Sequence, residues 1–234
     1  MRLRRMACGA LTAGLVQLTG CASSGPAHPL LVGPASPKDD GRTAGGGTGG
    51  AEHAAALEQL KVSPLAWRTD PQSSVRLLLP DAARWLGVKF WGFSSLVAFR
   101  YGQAHHAVVA GVVTHVDDEV SPGACDEAFE RSTRPWIDTF DVMLDRDPPR
   151  AFVWKGKIVD VDSLVATTAT LGMREQYAIA YATFPAWKGA CLVLGIAVPS
   201  RDELARSKAV RDRFVDEVLP KIEVIRRSEP QARY

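Results

Sequence analysis

The sequence is poor in cysteine, in long apolar runs and in charge of one sign, and each shortage closes off a class of protein. Four of 234 residues are cysteine, too few for the dense disulfide frameworks of small secreted scaffolds. Beyond the amino terminus no stretch approaches the roughly 20 consecutive apolar residues that cross a bilayer as a helix, so no later membrane span is expected. The formal charge is +2, and setting aside Arg2, Arg4 and Arg5 leaves the remainder near −1. That balance supplies no basic field to steer nucleic acid, and no nucleic-acid partner is expected. Catalytic signatures are scarce too. There is no H-E-x-x-H and no P-loop, and Ser94 and Ser95 sit in G-F-S-S-L rather than G-x-S-x-G. With 46% hydrophobic and 23% charged residues, what is present reads as an ordinary globular body.

The amino terminus is the most informative stretch. Arg2, Arg4 and Arg5 form a positive region with no acidic residue to offset it, and Met6 to Leu18 is small and apolar. That run is the length of a signal-peptide core and too short for a membrane span. Leu18, Thr19, Gly20 and Cys21 follow. The stretch resembles the bacterial lipoprotein signal peptide with its lipobox, L-[AST]-[GA]-C, which these four residues match. The resemblance implies removal of residues 1–20, a diacylglycerol thioether on Cys21, and acylation of the new amino terminus by a fatty acid such as palmitate. Two or three acyl chains anchor stably where one is marginal. Ala22, rather than Asp, follows the cysteine, and under the sorting rule of such proteins this implies the outer membrane, facing the periplasm.

Of the four cysteines, Cys8 belongs to the signal and Cys21 to the lipid site, which leaves Cys125 and Cys191 for the folded body. In an oxidising compartment two body cysteines suggest one disulfide. Two small buried thiols are the alternative.

Residues 21–50 read as a flexible tether behind Cys21. Positions 22–50 hold eight glycines and four prolines, and so few large apolar side chains cannot offset the entropy of ordering. By glycine-rich scaling the tether reaches about 30 Å. The run Gly45 to Gly50 is no phosphate loop, since no strand precedes it and no Lys-Ser or Lys-Thr follows.

Residues 51–234 read as a single globular domain. A short helix through Leu57 and Leu60 is expected before Ser63-Pro64. Strands are expected over Val75–Leu79, Val88–Trp91, Ser95–Tyr101 and Ala107–Val116, with a turn at Gly102-Gln103 and a bulge at Gly111. Ser121-Pro122 signals a helix start. Phe129, Trp136 and Phe140, with Cys125 and Met143 near them, give its stripe, with a kink or a split at Pro135 and a closing loop over Asp145–Pro149. Short strands are expected over Ala151–Trp154 and Lys157–Val161. Gln176–Thr183 alternates large and small residues as a strand packed on one face would. Phe184–Gly189 reads as a hairpin loop leading to a central strand, Ala190–Val198. Ser200 and Glu203 form a capping-box pattern opening a helix to Val218. Its buried face is expected to hold Leu204, Val210, Phe214 and Val218, and its wet faces Arg206, Arg211 and Arg213.

This order is an α+β domain, an antiparallel or mixed sheet covered by helices in a layered sandwich. Tyr177 to Pro199 followed by the helix from Ser200 to Val218 resembles the Mog1/PsbP-like sandwich. The resemblance implies partner binding and no common catalytic site.

His105, His106 and His115 are the sharpest chemical cluster, with Asp117, Asp118 and Glu119 behind them. Imidazole and carboxylate together can bind a divalent metal or supply acid–base catalysis. The plain alternative is a set of sheet-edge histidines before an acidic turn, since neighbouring strand residues face opposite ways. Asp160 and Asp162 can present two carboxylates on one strand face. Trp85, Trp91, Trp136, Trp154 and Trp187 are candidates for a ligand groove, with Trp187 in F-P-A-W-K-G the candidate for partner contact. No cofactor motif is present. Three functions stay open: an anchored binding or accessory module whose partner is an envelope protein or the cell wall, a metal-dependent or acid–base enzyme using the histidines, and a small-ligand carrier.

Overall fold

The run from Tyr177 to Tyr181 alternates aromatic or branched residues with alanine, and this sorting of side chains by size, rather than by polarity, organises the molecule. The computed structural model describes residues 48–69, 75–88, 96–115, 121, 123–129, 142–170, 173–187 and 189–224. The signal stretch, Cys21, the tether through residue 47, Trp91, Ser94, Ser95, Asp117 to Glu119, Pro135, Trp136 and Phe140 lie outside the described residues.

Three helices and eleven strands are described: α1 (Thr48–Val62), β1 (Leu65–Thr69), β2 (Val75–Pro80), β3 (Trp85–Gly87), β4 (Leu96–Tyr101), β5 (Ala107–His115), α2 (123–129), β6 (Val142–Arg146), β7 (Arg150–Trp154), β8 (Lys157–Thr170), β9 (Met173–Trp187), β10 (Ala190–Pro199), α3 (Leu204–Arg213) and β11 (Glu223–Val224). The main sheet is antiparallel with order β3-β4-β5-β10-β9-β8-β6, and β7 also pairs with β8. A small sheet, β1-β2-β11, stands beside it.

Both faces of the main sheet are buried around β9 and β10. On one, Val109, Leu192, Leu194, Ile196, Ala180 and Phe184 pack with Leu57 and Leu60 of α1, Leu77 and Leu79 of β2, and Val210, Phe214 and Val218. On the other, Val108, Val193, Ile179, Tyr177 and Tyr181 pack with Phe129 of α2. Ala180 and Ala182 of β9 therefore face the helix layer of α1 and α3, where small side chains let α3 lie close, and Tyr177, Ile179 and Tyr181 face α2. The expectation that β9 packs on one face is corrected: Tyr177 to Pro185 is buried throughout. Such near-continuous burial is what an inner strand covered on both sides requires.

Several local expectations change. β8 runs 14 residues and β9 15, so the expected Phe184–Gly189 loop shrinks to the two residues after Trp187. Met143 lies in β6, not on a helix. β6 and β7 form one broken strand along β8, offset by a residue at Asp147-Pro148-Pro149, where the Asp147 N–H reaches the Ser163 carbonyl at 2.9 Å. Gly111 keeps regular register. It marks a close approach instead of a bulge, because a Cβ there would meet the Val193 carbonyl oxygen and Leu194 Cδ1 at 2.8 Å. Ser121 does cap α2: its Oγ accepts from the Ala124 N–H at 3.1 Å. Cys125 of α2 and Cys191 of β10 form a disulfide, which fixes α2 to the second face.

Ser200 does not cap α3. The N-cap is Glu203, whose N–H bonds the Ser200 carbonyl at 2.6 Å across a turn with Arg201 and Asp202 at φ 41° and 72°. After α3 the chain runs through one π-helical stretch, Phe214–Val218, and a 3-10 turn, Leu219–Lys221. The buried set is Ser207, Val210, Arg211, Phe214, Val215 and Val218, with Leu204 only half-buried. Arg211, expected on a wet face, is 3% exposed. Its guanidinium pairs with Asp147 and Asp212 and donates to the Leu164 carbonyl at 3.3 Å, so the helix delivers a cation to the break in the edge strand.

Candidate functional site at the 102–106 turn

A dense set of titratable groups surrounds the connection from β4 to β5. Gly102 and His105 adopt left-handed φ of 68° and 53°, and the His106 N–H returns to the Tyr101 carbonyl at 3.0 Å. The turn therefore sends His105 and His106 in different directions. A Cβ on Gly102 would lie 3.2 Å from His106 Cδ2, so glycine serves both the backbone and the packing of the imidazole there.

His106 is 4% exposed and meets a residue that the sequence analysis passed over, His53 of α1, 0% exposed. Their Nδ1 atoms are 3.0 Å apart, and the rings lie 26° from parallel. His53 Nε2 donates to the Pro199 carbonyl at 2.9 Å. A carbonyl can only accept, so neutral His53 carries its proton on Nε2, and its Nδ1 accepts from His106 Nδ1–H. His106 Nε2 then faces Glu52 Oε1 at 3.6 Å. The Pro199 carbonyl accepts a second bond from Ser207 Oγ of α3 at 2.9 Å. One carbonyl at the end of β10 thus gathers α1 and α3.

Burial holds His53 down to about 4; Arg201 and His106 push the same way, and the Pro199 bond opposes them. Burial and Arg201 lower His106, against Glu52. Burial, then Arg100 and Arg201, lower His105. Around the turn Arg201 donates to the Ala104 carbonyl at 2.7 Å, Arg100 donates to His105 Nε2 and to Gln103 Oε1, and Arg84 lies over the Tyr101 ring. The Tyr101 hydroxyl donates to Asp81 Oδ2 at 2.6 Å, and burial with that carboxylate raises its pKa.

The three histidines singled out in the sequence do not converge. His105 turns to Arg100, His106 to His53, and His115 lies at the other end of β5 in register with Ala190. Trp187 pairs with the same Ala190, so His115 and Trp187 occupy one register row across β5, β10 and β9. Asp162 lies 3.5 Å from Arg146, and Asp160 is exposed opposite Ala151. Among the described residues no group of three metal-ligating side chains gathers. Trp85 and Trp154 belong to the core rather than to a groove, their indole N–H groups donating to the Pro80 and Ile222 carbonyls. The cavity beside Trp85, between Leu60, Ile196 and Phe214, measures about 10 Å³, room for about one water.

His53 was legible in principle. It stands three residues before Ala56, four before Leu57 and seven before Leu60, on the apolar stripe of α1. Its partners, 53 and 146 residues away, were not.

No protein-family model matches the sequence, and no curated protein matches it. Solved structures are similar to it. The cyanobacterial PsbP (CyanoP) of Synechocystis is 13% identical, over 70% of this chain and 94% of its own, with a TM-score of 0.47. LpqN of Mycobacterium tuberculosis, described as involved in cell envelope biogenesis, is 13% identical, over 63% of this chain and 87% of its own, with a TM-score of 0.37.

Proposed function

We propose that this chain is an envelope lipoprotein, held to the outer membrane through lipid on Cys21, whose folded body is a binding or accessory module facing the periplasm. The observation that carries the reading is the division of the cysteines. Cys125 and Cys191 are joined, as suits an oxidising compartment, and Cys21 stands in L-T-G-C as the lipid acceptor. Among the described residues no helix is long and apolar enough to cross a membrane, so attachment falls to the lipid in this reading. The partner is another envelope protein or the cell wall.

The test is expression of the natural chain beside Cys21→Ser, read by fractionation, intact mass and crosslinked capture from membranes. The natural chain is expected in the membrane fraction with the mass of two or three acyl chains and a removed signal. Cys21→Ser is expected in the soluble periplasmic fraction without them. Equal membrane association and equal mass for the two would overturn the anchor. Capture of one envelope protein, or of cell-wall fragments, by the anchored form alone would support the module reading. An anchored chain that captures neither, yet turns over a substrate with loss on substitution of His106, would replace it with the enzyme reading.

A further inference from the structure

We propose that the buried His53–His106 pair is a proton-operated latch that fastens the first two turns of α1 to the body and releases them in acid. The two imidazoles form a hydrogen-bonded chain, His106 Nδ1–H to His53 Nδ1 and His53 Nε2–H to the Pro199 carbonyl, which joins α1, the 102–106 turn and the end of β10.

The chain accepts one proton but not two. The first enters at His106 Nε2, where Glu52 is the counter-charge, and leaves both hydrogen bonds in place. The second must go to His53 Nδ1. Two N–H groups then oppose each other across 3.0 Å, and two cations share a buried site. The surroundings sharpen the penalty. Arg201 faces both rings from the turn before α3, Arg84 faces His106 from the turn before β3, and Arg100 stands behind His105 alongside. Among the described residues Glu52, on α1 itself, is the acidic group facing His106, and it serves the first proton. Ser207 keeps the Pro199 carbonyl satisfied when His53 leaves, so opening strands no acceptor.

What opens is bounded by the packing of α1. From Gly49 to Ala55, His53 is the buried residue; Ala54 is half-buried and the others are exposed. Ala56, Leu57 and Leu60 hold the second half, and Arg213 clamps its end by donating to the Leu60 carbonyl at 2.6 Å and the Ser63 carbonyl at 2.9 Å. Gly49 and Gly50 give the first turn little helix propensity of its own. Once released, residues 48–55 go from about 12 Å of helix to as much as about 28 Å of extended chain. Under the lipid-anchor reading, and only under it, that length adds to the tether; the latch does not depend on the anchor.

The test is hydrogen exchange of the Cys21→Ser chain at pH 7, 5.5 and 4, corrected for intrinsic rates. The closed form favours neutral His53. Its holding power is complete above about pH 6.5 and falls as the pH drops toward 4. Protection of the helix-bonded amides of 51–55 is expected to fall about 120-fold between pH 7 and pH 4, with β9 and β10 still protected. His53→Leu is expected to remove the pH dependence of that segment, and His106→Leu to reduce it, since burial and Arg201 still disfavour a charged His53. Unchanged protection at pH 4, or loss in all strands together, overturns the latch. So does a pH-dependent loss that survives undiminished in His53→Leu. The unsubstituted imidazoles decide the matter alone if a variant fails to fold: nitrogen NMR of His53 must show the proton on Nε2 at pH 7, and any other tautomer refutes the chain.

Discussion

Reduction of the Cys125–Cys191 bridge is the sharpest perturbation of the fold. The two cysteines are 66 residues apart, and a loop of that length, once closed, removes unfolded-chain entropy equivalent to about 4 kcal/mol at 25 °C. That is a large part of the roughly 5–15 kcal/mol typical of a domain. Both cysteines are 0% exposed, so the native bridge is shielded and must be reduced in denaturant before refolding. The assay is urea unfolding of the Cys21→Ser chain, oxidised and reduced. Two changes are expected together. Stability falls by about 4 kcal/mol, and the denaturant slope rises, because an uncrosslinked unfolded chain exposes more surface. Near-ultraviolet dichroism should change first around Phe129 and Tyr181, whose rings lie 6.0 Å apart where α2 meets the sheet. If the reduced chain is within about 1 kcal/mol of the oxidised one at unchanged slope, the loop-entropy argument fails here.

Other outcomes follow from single residues. Arg211→Ala leaves half-buried Asp147 without its guanidinium and should cost about 3–4 kcal/mol in chemical unfolding, with Arg211→Lys recovering only part. Burial alone would raise the pKa of Asp147, but Arg211 and Lys208 outweigh it and hold it below the usual carboxylate value. Its contribution to stability is therefore present above the unfolded value near 3.8 and lost as pH falls through the lower folded one; Asp147→Asn should flatten that acidic limb in melts below pH 4. Gly111→Ala forces a Cβ to 2.8 Å from a backbone carbonyl and should cost about 1–3 kcal/mol by thermal unfolding. Trp154→Phe removes the bond to the Ile222 carbonyl and should cost about 1 kcal/mol plus lost packing.

The layered α+β fold was legible wherever the sequence pattern was local. Ala190–Val198 read as a central strand because it is apolar at almost every position, and it pairs with β5 and β9. The reading failed where distant residues decide. The second half of β8, rich in Thr and Ala, has no alternation of its own and is a strand because β6 and β9 flank it. Pro185 suggested a loop, yet it pairs with Cys191 beside the register shift at Ala190, one of the few strand positions that tolerate proline. Arg211 carries a charge that spacing assigns to water, and the distant Asp147 and Leu164 carbonyl, with neighbouring Asp212, compensate its burial. The candidate site was half visible. His106 stood out in the sequence, but its partner His53 lay in an alanine-rich helix with no motif around it, and Arg201 became relevant only when the turn after β10 folded back to Ala104.

The broken edge strand of β6 and β7 bears on how copies of this protein live beside one another. A strand at the end of a sheet invites a neighbour to continue its ladder. Here Pro148 and Pro149 have no N–H to offer, the Asp147 N–H is already used inward, and Arg150 is drawn toward Asp212 and Asp216. An incoming chain would find the row of donors interrupted midway and a cation at the gap. Under the lipid-anchor proposal, copies held on one membrane surface would meet far more often than in solution. For them the interruption acts as insulation, letting crowding proceed without fibre growth.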